Sequence, residues 1–343
     1  MRKERSKSSG PLIVLAGDVG GTKTHLALCR LGRTRIELIR QKRSSSRSHR
    51  SLEAIGRLFL SQCKSYTIDA ACIGVAGPVV DGRAQATNLP WKLDSRKLSS
   101  EWGIRHTVLL NDLEATAYGV GTLSRKSLKK INAGKAKRHG TIVVIAAGTG
   151  LGEGAMVWAG DRYRAVPSEG GHADFAPRND LEIELLRYLQ KRFGRVSYER
   201  ILSGPGKLAV YQFLKERGYG VEPPWLARRM ADGDASATVS MMALNRRSPL
   251  CVKALELFVS IYGAEAGNMA LKFLPRGGVY VGGGIAPTIL PKLTDGTFMK
   301  AFKQKGRFSR LLSQIPVNVI LEHRTALFGA AHYARYLLEN PKS

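Results

Sequence analysis

The 343-residue chain is 43% hydrophobic and carries 54 Lys and Arg against 27 Asp and Glu, a formal net charge of +27. This is the make-up of an ordinary globular protein, long enough for two α/β lobes or one large domain. No run approaches the roughly 20 apolar residues of a membrane-spanning helix, which excludes an integral helical protein.

A basic, Ser-rich tail of about ten residues opens the chain, too polar and too quickly followed by Asp18 to serve as an export signal. Leu12 to Ala16 reads as a buried strand, and the near-two periodicity of HLALCRL after GDVGGTKT predicts a second strand across a glycine turn. RIELIRQ follows as a third, giving an antiparallel meander. ACIGVAGPVVDG reads as a strand with a Gly-Pro turn, and HTVLLNDLEATAYGVG as a strand that ends at Asn111-Asp112 and opens a helix whose Leu113, Ala117 and Val120 share one face. Further on, VIAAGTGLGEGAMVW at Val144 to Trp158 repeats the strand-turn-strand plan of Val14 to Leu28, about 130 residues earlier, and predicts an internal duplication into two related lobes with their turns on a common cleft. The second half is richer in helix: LEIELLRYLQKRFG, the stretch from Met241 to Leu274, and a C-terminal helix from about Arg324, with a strand at GGVYVGGG.

Four scattered cysteines, Cys29, Cys63, Cys72 and Cys251, form no C-x-x-C pair. They read as reduced buried thiols, in keeping with a cytoplasmic protein rather than a zinc or redox site. The positive charge concentrates in the first fifty residues, in Arg125 to Arg138 and around Lys300 to Arg310. A field of this sign attracts nucleotides or nucleic acid. The basic runs lack the interleaved aromatics that stack bases, which favours a background composition and makes nucleic acid an unlooked-for partner.

Gly17 to Thr22, GDVGGT, places glycines where amides can reach an anion, with Thr22 adding a hydroxyl. A tight hairpin turn accounts for the same glycines. The P-loop pattern fails at Thr22, and a strand rather than a helix follows Lys23. Gly148, Thr149 and Gly150 form a second such turn, and two equivalent turns strengthen a reading of triphosphate binding. A third, VGGGIAP, suits a close approach to a base or a simple turn into a helix. Asn111-Asp112 reads either as a helix cap or, beside phosphate turns, as the carboxylate that accepts a hydroxyl proton during phosphoryl transfer. Glu169 and His172 lie three apart around two glycines, and Glu199 opens YERILSGPG. These are candidates for sugar hydroxyls, against the alternatives of a core histidine or a metal ligand lacking its companions.

In this order along nearly the whole chain, GDVGGT, GVAGPV, NLPW, LLNDLEATAYG, AAGTGLGEG, PSEGGHADFAP, YERILSGPG and GGVYVGGGIAP resemble the bacterial-type glucokinases of the hexokinase–actin superfamily. The resemblance implies an α/β fold of two duplicated RNase H-like lobes around a central cleft. The division expected is a basic flexible tail at 1–11, a small lobe at 12–111 plus 324–343, and a large lobe at 112–323. It also implies phosphorylation of glucose to glucose 6-phosphate with ATP and Mg²⁺. Asp112 is then the base, with Asn111, Glu169, His172 and Glu199 on the sugar, and Gly17, Asp18, Val19, Gly20, Gly21, Thr22, Gly148, Thr149 and Gly150 around the phosphates. No residue is assigned as a protein metal ligand, and a homodimer is implied. The related repressor and sugar-kinase family carries a cysteine-rich zinc loop that is absent here, and the stretch before Leu12 is too short for a helix-turn-helix. Lys23 stands where an Asn is common in the family, and Arg125 to Arg138 reads as a basic insert. Another hexose such as mannose or an amino sugar, ADP or polyphosphate as donor, and a polyanion-binding protein on a kinase scaffold remain as alternatives.

Overall fold

A computed structural model describes residues 11–32 and 35–339. The tail expected at 1–11 therefore lies, but for Pro11, outside the described residues. Two compact units divide the chain, Met1–Leu123 with Arg324–Ser343, and Ser124–His323. The division falls twelve residues beyond the 111/112 boundary expected from the sequence, so the helix that Asp112 begins belongs to the first unit.

In the first unit, β1 (Leu12–Val19), β2 (Lys23–Leu31) and β3 (Ile36–Ser45) form the expected meander. After α1 (Leu52–Leu60), β4 (Ala70–Val75) joins β1 in parallel. A small sheet of β5 (Val79–Val80), β6 (Arg83–Gln85) and β7 (Lys92–Asp94) precedes α2 (Ser95–Trp102). Then β8 (His106–Asn111) pairs in parallel with β4 and leads directly into α3 (Asp112–Val120). The main sheet has the order β3-β2-β1-β4-β8.

Period-two alternation buries both faces of that sheet. Leu15 and Val19 of β1 pack with Leu52, Ile55, Phe59 and Leu98 of α1 and α2, while Val14 and Ala16 pack with Ala330, Ala331 and Ala334 of the C-terminal helix (Thr325–Glu339). The second face is built from small residues because its helices touch backbone to backbone. A Cβ on Gly329 would stand 1.7 Å from the Ala115 carbonyl oxygen, and one on Gly119 would stand 2.1 Å from that of Thr325. This crossing holds α3, and with it Asp112, on the first unit.

The second unit repeats the plan. Its strands are β9 (Leu128–Asn132), β10 (Ile142–Ala147), β11 (Leu151–Trp158), β12 (Tyr163–Val166), β13 (Gly278–Gly282) and β14 (Val317–Ile320). They run in the order β12-β11-β10-β13-β14-β9. The first five match the first sheet in order and in sense, antiparallel twice and then parallel twice. The basic segment read as an insert is in part β9, an added antiparallel edge strand beside β14. Its Lys129 and Lys130 are exposed, as are Arg40, Lys42 and Arg43 on the edge strand β3. Charged residues on sheet edges discourage pairing with other chains, which gives part of the positive charge a local purpose.

The core of this unit is dominated by α4 (Asp180–Phe193), α5 (Gly204–Glu216), α6 (Pro224–Ala231), α7 (Ala235–Leu244) and α8 (Pro249–Phe273). The stretch expected as one helical run from Met241 breaks in two. Arg246 takes a left-handed φ of 53°, and Ser248 caps a new helix that has Pro249 in its first turn. All four cysteines are buried and unpaired, as expected. Among the described residues no helix is long and apolar enough to cross a membrane.

Candidate active site

In the first unit, β1 ends and β2 begins around Gly20, Gly21 and Thr22. The turn is closed by Gly20 N–H donating to the Lys23 carbonyl at 3.0 Å. It is braced from behind by buried Ser46, whose amide donates to Thr22 O at 2.9 Å and whose hydroxyl donates to Gly20 O at 2.9 Å. Gly17 to Val19 are ladder residues of β1, in register with Leu26 to Thr24. The amides left for an anion are therefore those of Gly21 and Thr22, and Thr22 is exposed. Asp18 is partly buried on the face of Ala16. Burial pushes its carboxyl up to about 6, against the pull of Arg43.

Asn111 caps α3. Its Oδ1 accepts from Leu113 N at 2.8 Å and Glu114 N at 3.4 Å, and Glu114 accepts in return from Asn111 N at 3.2 Å, a capping box. Asn111 Nδ2 donates to Gly77 O at 3.0 Å, and an amide carries a second N–H. Asp112, the first helical residue, accepts from Leu113 N at 2.9 Å through Oδ1. The capping reading of this pair is thus correct for Asn111. Neither residue's remaining groups are excluded from a second role by it.

In the second unit the equivalent turn, Gly148 to Gly150, is joined to the sugar-candidate residues. Glu199 Oε2 accepts from Leu151 N at 3.0 Å, and Glu199 Oε1 lies 3.9 Å from His172 Nδ1. A Cβ on Gly150 would stand 2.4 Å from the Glu199 carboxylate, and one on Gly171 would stand 2.0 Å from the Leu151 carbonyl oxygen. At Gly171 the obstacle is backbone and only glycine fits, while at Gly150 a Cβ would displace the end of the Glu199 side chain. The short turn Gly170–His172, with His172 N–H donating to Glu169 O at 2.9 Å, therefore sits directly on the start of β11. Glu169 and His172 are exposed, so the core-histidine alternative does not hold. The turn Tyr198–Arg200 that carries Glu199 is tied to it by Tyr198 N–H donating to Ala173 O at 3.0 Å. The third glycine turn opens a short helix, Ile285–Thr288, beside β10.

Sequence reading missed several residues here. Lys207 is buried in the first turns of α5, where its ammonium donates to Ser240 Oγ and burial draws it down to about 8, with Asp234 opposing. A cavity of about 470 Å³ in the first unit is lined by His25, Gln41, Arg43 and Arg324. Glu153 is buried beneath Gly170. Only the acid inside a glycine-rich run hinted at the last, and nothing local marked the others. Among the described residues no group of three or more His, Cys, Asp or Glu side chains is placed to hold a metal.

A duplicated pair of α/β units, with a glycine turn joining β1 to β2 in one and β10 to β11 in the other, is the fold of the sugar kinases of the hexokinase–actin type. The glucokinase family model matches residues 15–337. A glucokinase of Nostoc punctiforme is 42% identical over 333 residues, covering 93% of this chain and 98% of that protein. Among solved structures, a glucokinase from an Antarctic psychrotroph superposes with a TM-score of 0.83 at 29% identity, covering 94% of this chain and 99% of that one. The glucokinase of Balamuthia mandrillaris, solved in complex with glucose, superposes at 0.77 with 22% identity, covering 96% and 95%. The chain belongs to the glucokinase family and is a transferase of the kinase class.

Proposed function

We propose that the chain transfers the γ-phosphoryl group of ATP to the 6-hydroxyl of D-glucose. The observation that carries this reading lies in the second unit, where one carboxylate, Glu199, joins the Gly148–Gly150 turn to the Glu169–His172 turn. A phosphate-sized anion over the Thr149 and Gly150 amides would then lie beside acceptors and a donor suited to sugar hydroxyls. Glu169 and Glu199 accept from hydroxyls, and the His172 ring does either.

The first unit supplies the remaining chemistry. The Gly21 and Thr22 amides hold a phosphate. Asp112 accepts the hydroxyl proton as the new P–O bond forms, and the second N–H of Asn111 Nδ2 serves a neighbouring hydroxyl. Mg²⁺ typically keeps several waters and takes one or two carboxylates plus substrate phosphates. A lone Asp18, with no hydrogen bond to its side chain recorded among the described residues and ionised above about pH 6, fits that need. When bound, the ion would neutralise phosphate charge. Membership of the family supports glucose and ATP as the substrates, and a homodimer is part of the same proposal.

A coupled phosphorylation assay across a panel of hexoses and phosphate donors tests it. Glucose with ATP should give the highest kcat/KM, with sugars lacking or inverting a hydroxyl reduced by orders of magnitude because partners that the bound sugar covers are left unmatched. Equal rates with mannose or glucosamine would replace the substrate, and a preference for ADP or polyphosphate would replace the donor.

A further inference from the structure

Beneath the two turns that carry Glu169, His172 and Glu199 lies a pair of acids the reaction does not use. Glu153, on the inward face of β11 between Leu151 and Ala155, is 1% exposed, and neither of its carboxyl oxygens has a hydrogen-bond partner. A Cβ on Gly170 would stand 2.5 Å from Glu153 Oε2, so this carboxyl forms the floor under the Gly170–His172 turn. Glu265 of α8 is 0% exposed. Its Oε2 accepts from Asn268 Nδ2 at 2.7 Å, and its Oε1 is unpartnered, 4.0 Å from Lys272 Nζ. Asn268 Nδ2 also donates to the Tyr198 hydroxyl at 3.0 Å, so Asn268 links Glu265 to Tyr198. One acid therefore supports each turn.

An ionised carboxylate with no donor is costly at such depth, while a neutral carboxyl is tolerated. Burial and then the neighbouring Glu265 push Glu153 up to about 8, with Lys272 opposing, and burial raises Glu265 as well. The other titratable groups facing the pair are Tyr198 and Tyr262, with Lys305 bonded to Asn268 behind it. We propose that Glu153 is a positioning residue of the sugar site. As a neutral carboxyl beneath Gly170, coupled to Glu265 beneath Tyr198, it fixes the height of both turns. This rests on the reading that Glu169, His172 and Glu199 bind the sugar.

The sign follows from linkage. When the turn lifts, Glu153 is wetted and returns toward an ordinary carboxyl value, so the lifted form has lost its proton where the seated form still holds it. Lifting becomes easier as pH rises from the ordinary carboxyl range to about 8 and levels off above, by at most about tenfold per pH unit.

Hydrogen–deuterium exchange of the 169–173 and 198–201 amides, corrected for intrinsic rates and measured on the full chain without sugar from pH 5.5 to 8.5, reads this directly. Protection should fall across that window in the wild-type protein, and Glu153→Gln, which stays neutral, should at least halve the slope. The β1 amides of the first unit should show no such slope. A flat wild-type profile overturns the proposal whatever the variant does. So does an unaltered slope in Glu153→Gln or, should that variant not fold, in Glu153→Ala. In turnover, Glu153→Ala should raise the glucose KM about tenfold with kcat within about threefold, and an unchanged KM also overturns it. Exchange needs no sugar, so a failure of the sugar assignment would show separately, as an unchanged glucose KM in Glu169→Ala and His172→Ala.

Discussion

The two glycine turns share a backbone plan and differ in what surrounds them. In the first unit a Cβ on Gly20 would meet only the Lys23 carbonyl at 3.5 Å, an ordinary contact, and the turn is braced by Ser46 behind and by Thr87 and Asn88, 3.0 Å from a Cβ on Gly21. In the second unit Gly150 abuts the Glu199 carboxylate, and the neighbouring Gly171 abuts the Leu151 backbone. Duplication has kept the hairpin and its parallel neighbour, while the side chains have diverged. One turn leaves the Gly21 and Thr22 amides unused by its own backbone, and the other is built against the Glu199 carboxylate and His172. On the proposed function, the polar contacts gather on the unit that carries the sugar candidates Glu169, His172 and Glu199, and the proposed proton acceptor Asp112 lies on the other.

The largest test of that division is Asp112→Asn. If the first unit supplies the base, kcat should fall by about 10²–10⁴-fold with glucose affinity, measured by calorimetry, nearly unchanged. Full activity would remove Asp112 from the chemistry. Next comes Gly171→Ala. The obstacle at 2.0 Å is backbone and cannot swing aside, so chemical denaturation should report a loss of about 2–4 kcal/mol, the scale of forced overpacking or more, together with loss of glucose binding. A third and milder effect separates the turns themselves. In Gly150→Ala the obstacle is the end of a flexible side chain, so Glu199 moves and releases Leu151 N–H. Stability should drop by about 1 kcal/mol and the glucose KM should rise about tenfold. Gly20→Ala should leave stability within about 0.5 kcal/mol and alter only the KM for ATP. If the two alanine variants behaved alike, the contrast between the turns would fail.

How much of this was legible in sequence depended on range. The meander, the strand ending at Asn111 and the cap follow from neighbours within a few positions, where periodicity and turn chemistry act, and the duplication from the recurrence of one such local pattern. The bracing of Gly20 by Ser46 spans 26 residues, and the seating of Gly171 on Leu151 twenty. Neither leaves a local mark beyond the glycine itself. Helix propensity read the stretch from Met241 as continuous because Arg246 and Arg247 favour helix, yet Ser248-Pro249 supplied a better start for α8. The boundary between units was misplaced because α3 reads as a new beginning in the chain. The Gly119–Gly329 crossing that ties it to the first unit joins residues some two hundred apart.

A further effect sets Asp18 apart from other acids of both units by the direction of its contribution to stability with pH. Asp18 is raised from 3.8 to about 6, chiefly by burial. Between those values the folded chain holds a proton that the unfolded chain has lost, so Asp18 makes stability fall as pH rises through that window and contributes nothing further above it. Glu53, Asp94, Glu222 and Asp295 are lowered and act oppositely, stabilising as pH rises. The measured slope of the wild-type protein is therefore a sum, and only a difference isolates Asp18. Urea titrations of ligand-free wild type and Asp18→Asn at intervals from pH 4 to 7 should show the variant gaining about 1 kcal/mol relative to wild type across the window. The full two-unit shift would give about 3 kcal/mol, and the partial exposure of Asp18 to solvent reduces it. Parallel profiles would mean that Asp18 is as wet as a surface carboxylate. The first turn would then be open on both sides, and the contrast with the buried Glu153 beneath the Gly170–His172 turn would become sharper still.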